Sequence, residues 1–220
     1  MDITQWLLKT VLLIPAILIA FTVHSYAQAA VADRLGDKGP RSKGRLTLNP
    51  LAHVDLIGFL MILLVQFGWG KPVETNPRSY KNYYKDDLKV SVSGIIANFL
   101  TAFAFAILFG ILNKVFFEFY AVNVVLANVL SILRVIVAYV VQINCMFAII
   151  NIIPIPGLDG FHIMRDLFPK FFYSIADSLY KYQLVILIVF IIPIGSYSVA
   201  GVLVGIPSQA LANLLISLVS

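Results

Sequence analysis

Two polar segments next to long apolar stretches carry residue types suited to a metal or hydrolytic site. Residues 21–29 read FTVHSYAQA, and His24 and Gln28 are four residues apart, so they share one helix face. Residues 151–160 read NIIPIPGLDG, in which two prolines remove helical donors ahead of Asp159. Imidazole and carboxylate groups both bind divalent metals. We expect the function to depend on these two segments.

Each segment also has a simpler interpretation. His24 could be an interfacial histidine that hydrogen-bonds a neighbour, and Asp159 followed by Gly160 is a common turn pair. A histidine in a membrane helix is costly unless it faces protein or water, which favours a functional role for His24. The turn alone does not explain why an acid shares one side of the membrane with that histidine.

Composition indicates that lipid surrounds most of the chain. The 220 residues are 60% hydrophobic and 12% charged, with a mean hydropathy of +0.91. Soluble domains carry about 25% charged residues, and a chain this short cannot bury so much hydrocarbon in one globule. The net charge of +5 resides in loops, which argues against a nucleic-acid surface. The single cysteine, Cys145, excludes an internal disulfide.

The apolar pattern predicts an all-α polytopic membrane protein, with residues 1–220 forming a single domain. Four transmembrane helices are expected at about 3–32, 88–113, 122–150 and 184–206, since about 20 residues cross a bilayer core. The apolar run 56–67 is too short to cross and suits a re-entrant loop or short β-hairpin. Residues 207–220 suit an interfacial C-terminal helix.

Charge placement predicts the orientation. Lysine and arginine are concentrated after the first, before the second and between the third and fourth predicted helices. These three regions lie on one side, which the positive-inside rule makes cytoplasmic. We therefore expect a multi-pass cell-membrane protein with its N-terminus outside and its site towards the cytoplasm. The basic residues are Arg34, Lys38, Arg41, Lys43, Arg45, Lys71, Arg78, Lys81, Lys85, Lys89, Arg165, Lys170 and Lys181.

The order of several motifs makes the chain resemble the site-2 proteases, intramembrane zinc metalloproteases, in their compact bacterial branch. The likeness covers roughly residues 12–170 and includes DRLGD at 33–37, RLTLNPLAHVD at 45–55, GWGKPV at 68–73 and SGIIAN at 93–98. Family members carry His-Glu-x-x-His on one helix and a later aspartate. The resemblance implies zinc, with His24 as the first ligand and Asp159 as the third.

Two positions depart from the family pattern. Ser25 stands at the position of the family's catalytic glutamate, and Gln28 at that of its second histidine ligand. A hydroxyl is a poor proton acceptor, and losing general-base help costs about 10²–10⁴-fold in rate. An amide oxygen is a weak zinc ligand beside imidazole. We expect weak or absent zinc binding and no turnover in this chain.

The resemblance implies a protease that cleaves transmembrane protein substrates near the cytoplasmic face, here in a catalytically inactivated version. An inactivated enzyme is favoured because the remaining motifs are intact. A natural pseudoprotease or membrane adaptor that binds transmembrane segments without cleavage remains the alternative. A transporter is disfavoured because the two interrupted halves are dissimilar. Membrane lipids are expected partners, and a nucleic acid is not.

Further polar residues are secondary candidates. Asn151 could contact substrate or a developing oxyanion. His53, with Asp55, could supply a metal ligand, although hydrogen bonds to the loop backbone are favoured. Asn98 and Asn144 are expected to join helices. Two residues receive no site role here: His162 is expected at the surface, and Arg134, in the third predicted helix, should face protein or water.

Overall fold

A bundle of long helices forms the body of the protein. The computed structural model describes residues 2–65, 68–120, 122–194 and 197–219. The helices are α1 (Ile3–Leu35), α2 (Gly39–Ser42), α3 (Leu56–Val65), α4 (Tyr83–Phe119), α5 (Val124–Ile150), α6 (Asp159–Leu167), α7 (Pro169–Lys181), α8 (Gln183–Ile191) and α9 (Ile206–Ser217), and the strands are β1 (Pro193–Ile194) and β2 (Tyr197–Ser198). The all-α polytopic membrane fold predicted from the sequence is confirmed.

Three helices in the described part of the chain, α1, α4 and α5, are long and apolar enough to cross a bilayer. They pack against one another through small side chains, including Ala20 on α1 and Ala102 and Ala106 on α4, all fully buried. Small residues let helix backbones approach closely where lipid supplies no hydrophobic driving force. This close packing brings polar groups on different helices within hydrogen-bonding distance.

The fourth predicted span, 184–206, is not one straight helix. α8 ends at Ile191 and Ile192 is extended, as expected for a residue that precedes a proline. A two-stranded antiparallel hairpin of β1 and β2 follows. α7 and α8 are bent by 78° relative to each other, and together they have the length and composition of a fourth, broken span or of a re-entrant loop.

The apolar run 56–67 is a short helix rather than a pair of strands. α3 occupies Leu56–Val65, while residues 66 and 67 lie outside the described residues. Asp55 begins the helix by accepting a hydrogen bond from the Gly58 N–H at 2.8 Å. Extended backbone flanks α3, where Val54 and Gly70 form an isolated antiparallel bridge. This arrangement fits the re-entrant alternative.

The C-terminal helix packs on the bundle as well as lying at its edge. Ala212 and Leu215 of α9 are buried against α4 and α5, in a cluster that includes Val141 and Cys145. Pro207 stands in the first turn of α9, where its missing N–H costs no helical hydrogen bond. The expected helix at 207–220 is therefore present, and one of its faces belongs to the protein core.

Helix α6 is attached to α4 by buried charges. The Arg165 guanidinium donates to the Asp87 carboxylate of α4 and to Asp166 Oδ1 at 2.7 Å. The Asp87 and Asp166 side chains are 4% and 0% exposed, so one cation serves two buried carboxylates. Burial and, secondarily, Asp87 raise the pKa of Asp166 to about 6 against the opposing effect of Arg165. Because α6 begins at Asp159, this attachment helps to set the position of that carboxylate.

The titration of Asp166 predicts how stability changes with pH. Its pKa in the folded protein lies above the ordinary value of 3.8. Its contribution to the free energy of unfolding is therefore complete below pH 3.8 and is lost as the pH rises through about 6. Asp166→Asn, which stays neutral, should match the unchanged chain near pH 4 and be more stable at pH 7.5, by up to about 3 kcal/mol. Reversible unfolding in mixed micelles at several pH values measures the difference.

A matched control is Asp177→Asn, which removes an exposed carboxylate on α7. It should leave the pH dependence of unfolding unchanged. A constant stability difference between Asp166→Asn and the unchanged chain from pH 4 to 7.5 would contradict the prediction.

Candidate active site

One face of α1 carries the polar residues of the first motif. Phe21, His24, Ser25 and Gln28 follow the spacing of three and four residues that places side chains on the same side of a helix. Phe21 and Ser25 are buried, and the other two side chains are largely buried. The face points into the bundle, where α4, α5 and the start of α6 meet it.

The structure brings the two sequence motifs together. The distance from His24 Nε2 to Asp159 Oδ2 is 2.9 Å, and the two side chains are 12% and 15% exposed. Gln28 Nε2 donates to the other carboxylate oxygen, Asp159 Oδ1, at 2.7 Å. The residues at 24, 28 and 159 thus form one closed polar cluster between α1 and α6.

Two asparagines orient His24 from the other side. His24 Nδ1 lies 2.7 Å from Asn98 Oδ1 on α4. Asn98 Nδ2 donates to the Ala20 carbonyl at 3.1 Å and to Asn144 Oδ1 on α5 at 2.9 Å. Asn144 Nδ2 in turn donates to the Val140 carbonyl at 2.9 Å. Both asparagines are fully buried, and they join the three spanning helices as expected.

This chain of hydrogen bonds fixes the tautomer of His24. The backbone carbonyls at 20 and 140 accept only from N–H groups, so both amide orientations are determined. Asn98 therefore presents its oxygen to His24 Nδ1, which must carry a proton. The Nε2 lone pair then faces Asp159 Oδ2, a buried oxygen with no well-directed hydrogen bond. Two facing lone pairs at 2.9 Å require a proton between them.

Two glycines allow the groups to approach. A Cβ on Gly94 of α4 would lie 2.6 Å from ring atoms of His24, closer than real contacts allow. A Cβ on Gly160 would lie 2.3 Å from the Ile152 carbonyl, where the chain folds back into α6. The roles of Gly94 and Asn98 beside His24 were not predicted from the sequence. Their spacing of four residues within one helix was the available signal, because it places them on one face.

Other candidates occupy different environments. Asn151 ends α5 and donates from Nδ2 to the Phe147 carbonyl at 3.0 Å. His53 is fully buried in the loop before α3, and its Nε2 lies 2.7 Å from the Thr47 carbonyl, so that nitrogen donates to the backbone. Burial lowers the pKa of His53. His162 is exposed on α6.

The donor set does not fit the catalytic zinc that the resemblance implies. His24 Nε2 and Asp159 Oδ2 face each other and are the two atoms that would hold a metal, and the hydrogen bond at Nδ1 is the kind that orients metal-binding histidines. The position of the second histidine ligand is occupied by Gln28, which turns its N–H towards the cluster. No three His, Cys, Asp or Glu side chains among the described residues come together as a metal site. Catalytic zinc usually has three protein ligands.

Asn98→Leu tests how far the buried network holds the site together. The substitution keeps the number and branching of side-chain heavy atoms but removes three hydrogen bonds and leaves His24 Nδ1 unpaired. At about 0.6 kcal/mol for each bond within a membrane, we expect a loss of about 2 kcal/mol. Unfolding by denaturing detergent measures it. Thr101→Val, which removes one local bond from the same helix, should cost a few tenths of a kcal/mol. Equal losses in the two variants would be inconsistent with this role.

Comparisons with known proteins agree with the geometry. Residues 14–194 match the model of peptidase family M50. The chain is also 32% identical over 186 residues to "Putative zinc metalloprotease YwhC" of Bacillus subtilis (strain 168), covering 84% of this chain and 82% of that protein. No solved structure matches. The chain therefore belongs to peptidase family M50, the site-2 protease family.

Proposed function

We propose that this chain is an intramembrane zinc metalloprotease of the site-2 type whose catalytic centre has been inactivated. The observation that carries the proposal is the closed cluster of His24, Gln28 and Asp159, with Ser25 beside it on α1. Two of the family's metal ligands are present, at His24 and Asp159, while the second histidine ligand and the general base are replaced by Gln28 and Ser25. The expected result is a protein that folds and binds substrate but does not cleave it.

The metal-binding deficit follows from the chemistry of Gln28. Its amide N–H satisfies Asp159 Oδ1, and a proton between His24 Nε2 and Asp159 Oδ2 completes the cluster without a metal. Zinc would have to displace that proton and would gain only a weak amide ligand in return. Zinc is therefore expected to bind weakly or not at all, although it is the cofactor implied by the family.

The proton-transfer deficit follows from Ser25. Its side chain is buried on the site face of α1, one residue from His24. A hydroxyl does not ionise near neutral pH, so it can neither accept a proton from an attacking water nor return it to a leaving amine. The loss of this general acid–base step alone lowers the rate by about 10²–10⁴-fold. Two independent deficits make cleavage by the chain undetectable.

Substrate binding is expected to survive. Gly70 lies beside the ring of Phe21, which precedes His24 by one turn of α1. Extended backbone therefore passes next to the site. A transmembrane substrate that unwinds locally could pair with this segment as an added strand. The run 56–67 is a poorer candidate for strand addition, because α3 uses its own backbone hydrogen bonds. The extended residues on either side, at Val54 and Gly70, are the better candidates. Asn151, at the end of α5, remains a candidate substrate or oxyanion contact.

The orientation proposed is that of a multi-pass cell-membrane protein with its N-terminus outside. His24 lies 11 residues before the end of α1, and the basic loop 34–45 follows that end. The ion pairs of buried Asp33 with the exposed cations Arg41 and Lys38 lie in the same region. By the positive-inside rule this places the site towards the cytoplasm, where anionic headgroups attract the loops.

A natural pseudoprotease or adaptor that binds transmembrane segments without cleavage is the second candidate. It is favoured by the same closed cluster, because a site whose polar groups satisfy each other has no need of metal. Inactivation of a competent enzyme is preferred because the surrounding framework still presents His24 Nε2 and Asp159 Oδ2 to a shared ion.

Restoring the two family residues tests the proposal. The chain as given, Ser25→Glu, Gln28→His and the double variant should be purified and compared for zinc content and cleavage of a model transmembrane substrate. We expect about one zinc per chain whenever position 28 is histidine, and cleavage only in the double variant. Adding Asp159→Asn to the double variant should abolish both and serves as the control.

The outcomes separate the two candidates. A double variant that stays free of metal and inert, although folded, would remove the inactivated-protease proposal and favour the adaptor. Cleavage by the chain as given would show that Ser25 and Gln28 do not inactivate it.

A further inference from the structure

Arg134 is a cation in a membrane-spanning helix that the active site does not use. It lies on α5, and its guanidinium carbon is 4.2 Å from the centre of the Phe116 ring and 5.8 Å from those of Phe109 and Phe117, all on α4. Its Nε is buried without a hydrogen-bond partner, and no acidic side chain pairs with it in the described part of the chain. A charge within a span is costly unless an anion or water meets it.

A cavity opens beside this cation. It measures about 270 Å³ and is lined by Phe109, Ser131, Arg134, Val135 and Ala138. Ser131 precedes Arg134 by three residues and so shares its helix face. Its side chain is exposed, and its hydroxyl has no hydrogen-bond partner among the described residues. Two unpartnered polar groups thus face one space whose other walls are apolar.

The depth of the guanidinium suits a lipid headgroup. Arg134 is ten residues beyond the start of α5, about 15 Å along the helix. Helical side chains tilt towards the N-terminus of their helix, so Arg134 reaches back towards the membrane surface at which α5 begins. The Phe116 ring that it contacts is three residues before the end of α4, so the charge lies towards the end of the bundle at which α4 ends and α5 begins.

We propose that this cavity binds the phosphate of an anionic phospholipid in the leaflet where α5 begins. The guanidinium fork pairs with the phosphate oxygens, and the Ser131 hydroxyl donates to one of them. The acyl chain lies along Phe109, Val135 and Ala138, which is why a lipid is favoured over free phosphate. The site is remote from the His24 cluster in sequence and independent of the proposed protease chemistry.

Native mass spectrometry of the full chain after partial delipidation tests the site, with phosphatidylglycerol and phosphatidylcholine as probes. The chain as given should retain phosphatidylglycerol, and Arg134→Gln should weaken that binding about tenfold or more, since a charge-assisted pair is lost. Arg134→Lys keeps the charge without the fork and should show an intermediate loss. Ser131→Ala should weaken binding by a smaller factor.

Lys114→Gln is the matched control, because Lys114 is an exposed cation in the last part of α4 that does not line the cavity. It should retain phosphatidylglycerol as the unchanged chain does.

If Arg134→Gln is poorly folded, Arg134→Lys and Ser131→Ala carry the test. Equal retention by all variants overturns the proposal. Displacement of the lipid by millimolar inorganic phosphate would instead indicate a soluble-anion site. Binding of an acidic transmembrane peptide in place of lipid would indicate a protein partner.

Discussion

The meeting of His24 with Asp159 inside the helix bundle is the constraint on which the structure depends. Lipid offers no hydrogen bonds, so a polar atom within the membrane either finds a partner in the protein or lowers the stability of the fold. The bundle meets this requirement in layers. Backbone carbonyls orient the two asparagines, and Asn98 orients the imidazole of His24. The carboxylate of Asp159 contacts the imidazole through one oxygen and accepts a hydrogen bond from Gln28 through the other.

The same arrangement explains how the fold of a hydrolytic enzyme can persist after a metal ligand and the general base are replaced. In the family pattern, the second histidine ligand and the general base are metal-bound or charged groups, which in lipid need a metal or water to satisfy them. Gln28 and Ser25 are neutral and impose no such requirement. The amide also completes the hydrogen bonding of Asp159. The loss of the metal ligand and of the base is therefore compatible with a well-packed membrane protein.

The sequence was sufficient to predict the long helices and the pairing of the two motifs, because both depend on strong local signals. Continuous apolar runs define α1, α4 and α5, and the family motifs fix which polar residues belong together. The break within 184–206 was missed because apolar residues dominate that run. The signals were present in the sequence, where Pro193, Gly195, Ser196, Ser198, Gly201 and Gly205 interrupt the apolar residues. The helical state of α3 was also undetermined, since a ten-residue apolar run suits helix and strand alike.

What the sequence could not supply was the set of contacts between helices. Nothing in the order of residues indicates that Asn98 bonds His24, or that Arg165 attaches α6 to Asp87, because each pair is separated by more than 70 residues. Those contacts are tertiary, and they decide which nitrogen of His24 faces Asp159. The attachment of α6 also shows that the position of one ligand depends on buried charges at the far end of a short helix.

Nitrogen-15 NMR of histidine in the chain reconstituted in bilayers, with and without equimolar zinc, tests the central claim most directly. The three histidines are distinguished by single substitutions. We expect His24 to be protonated at Nδ1 and its Nε2 signal not to move when zinc is added. An Nε2 signal that shifts to the metal-bound range with one equivalent of zinc, or a neutral ring protonated at Nε2 alone, would contradict it.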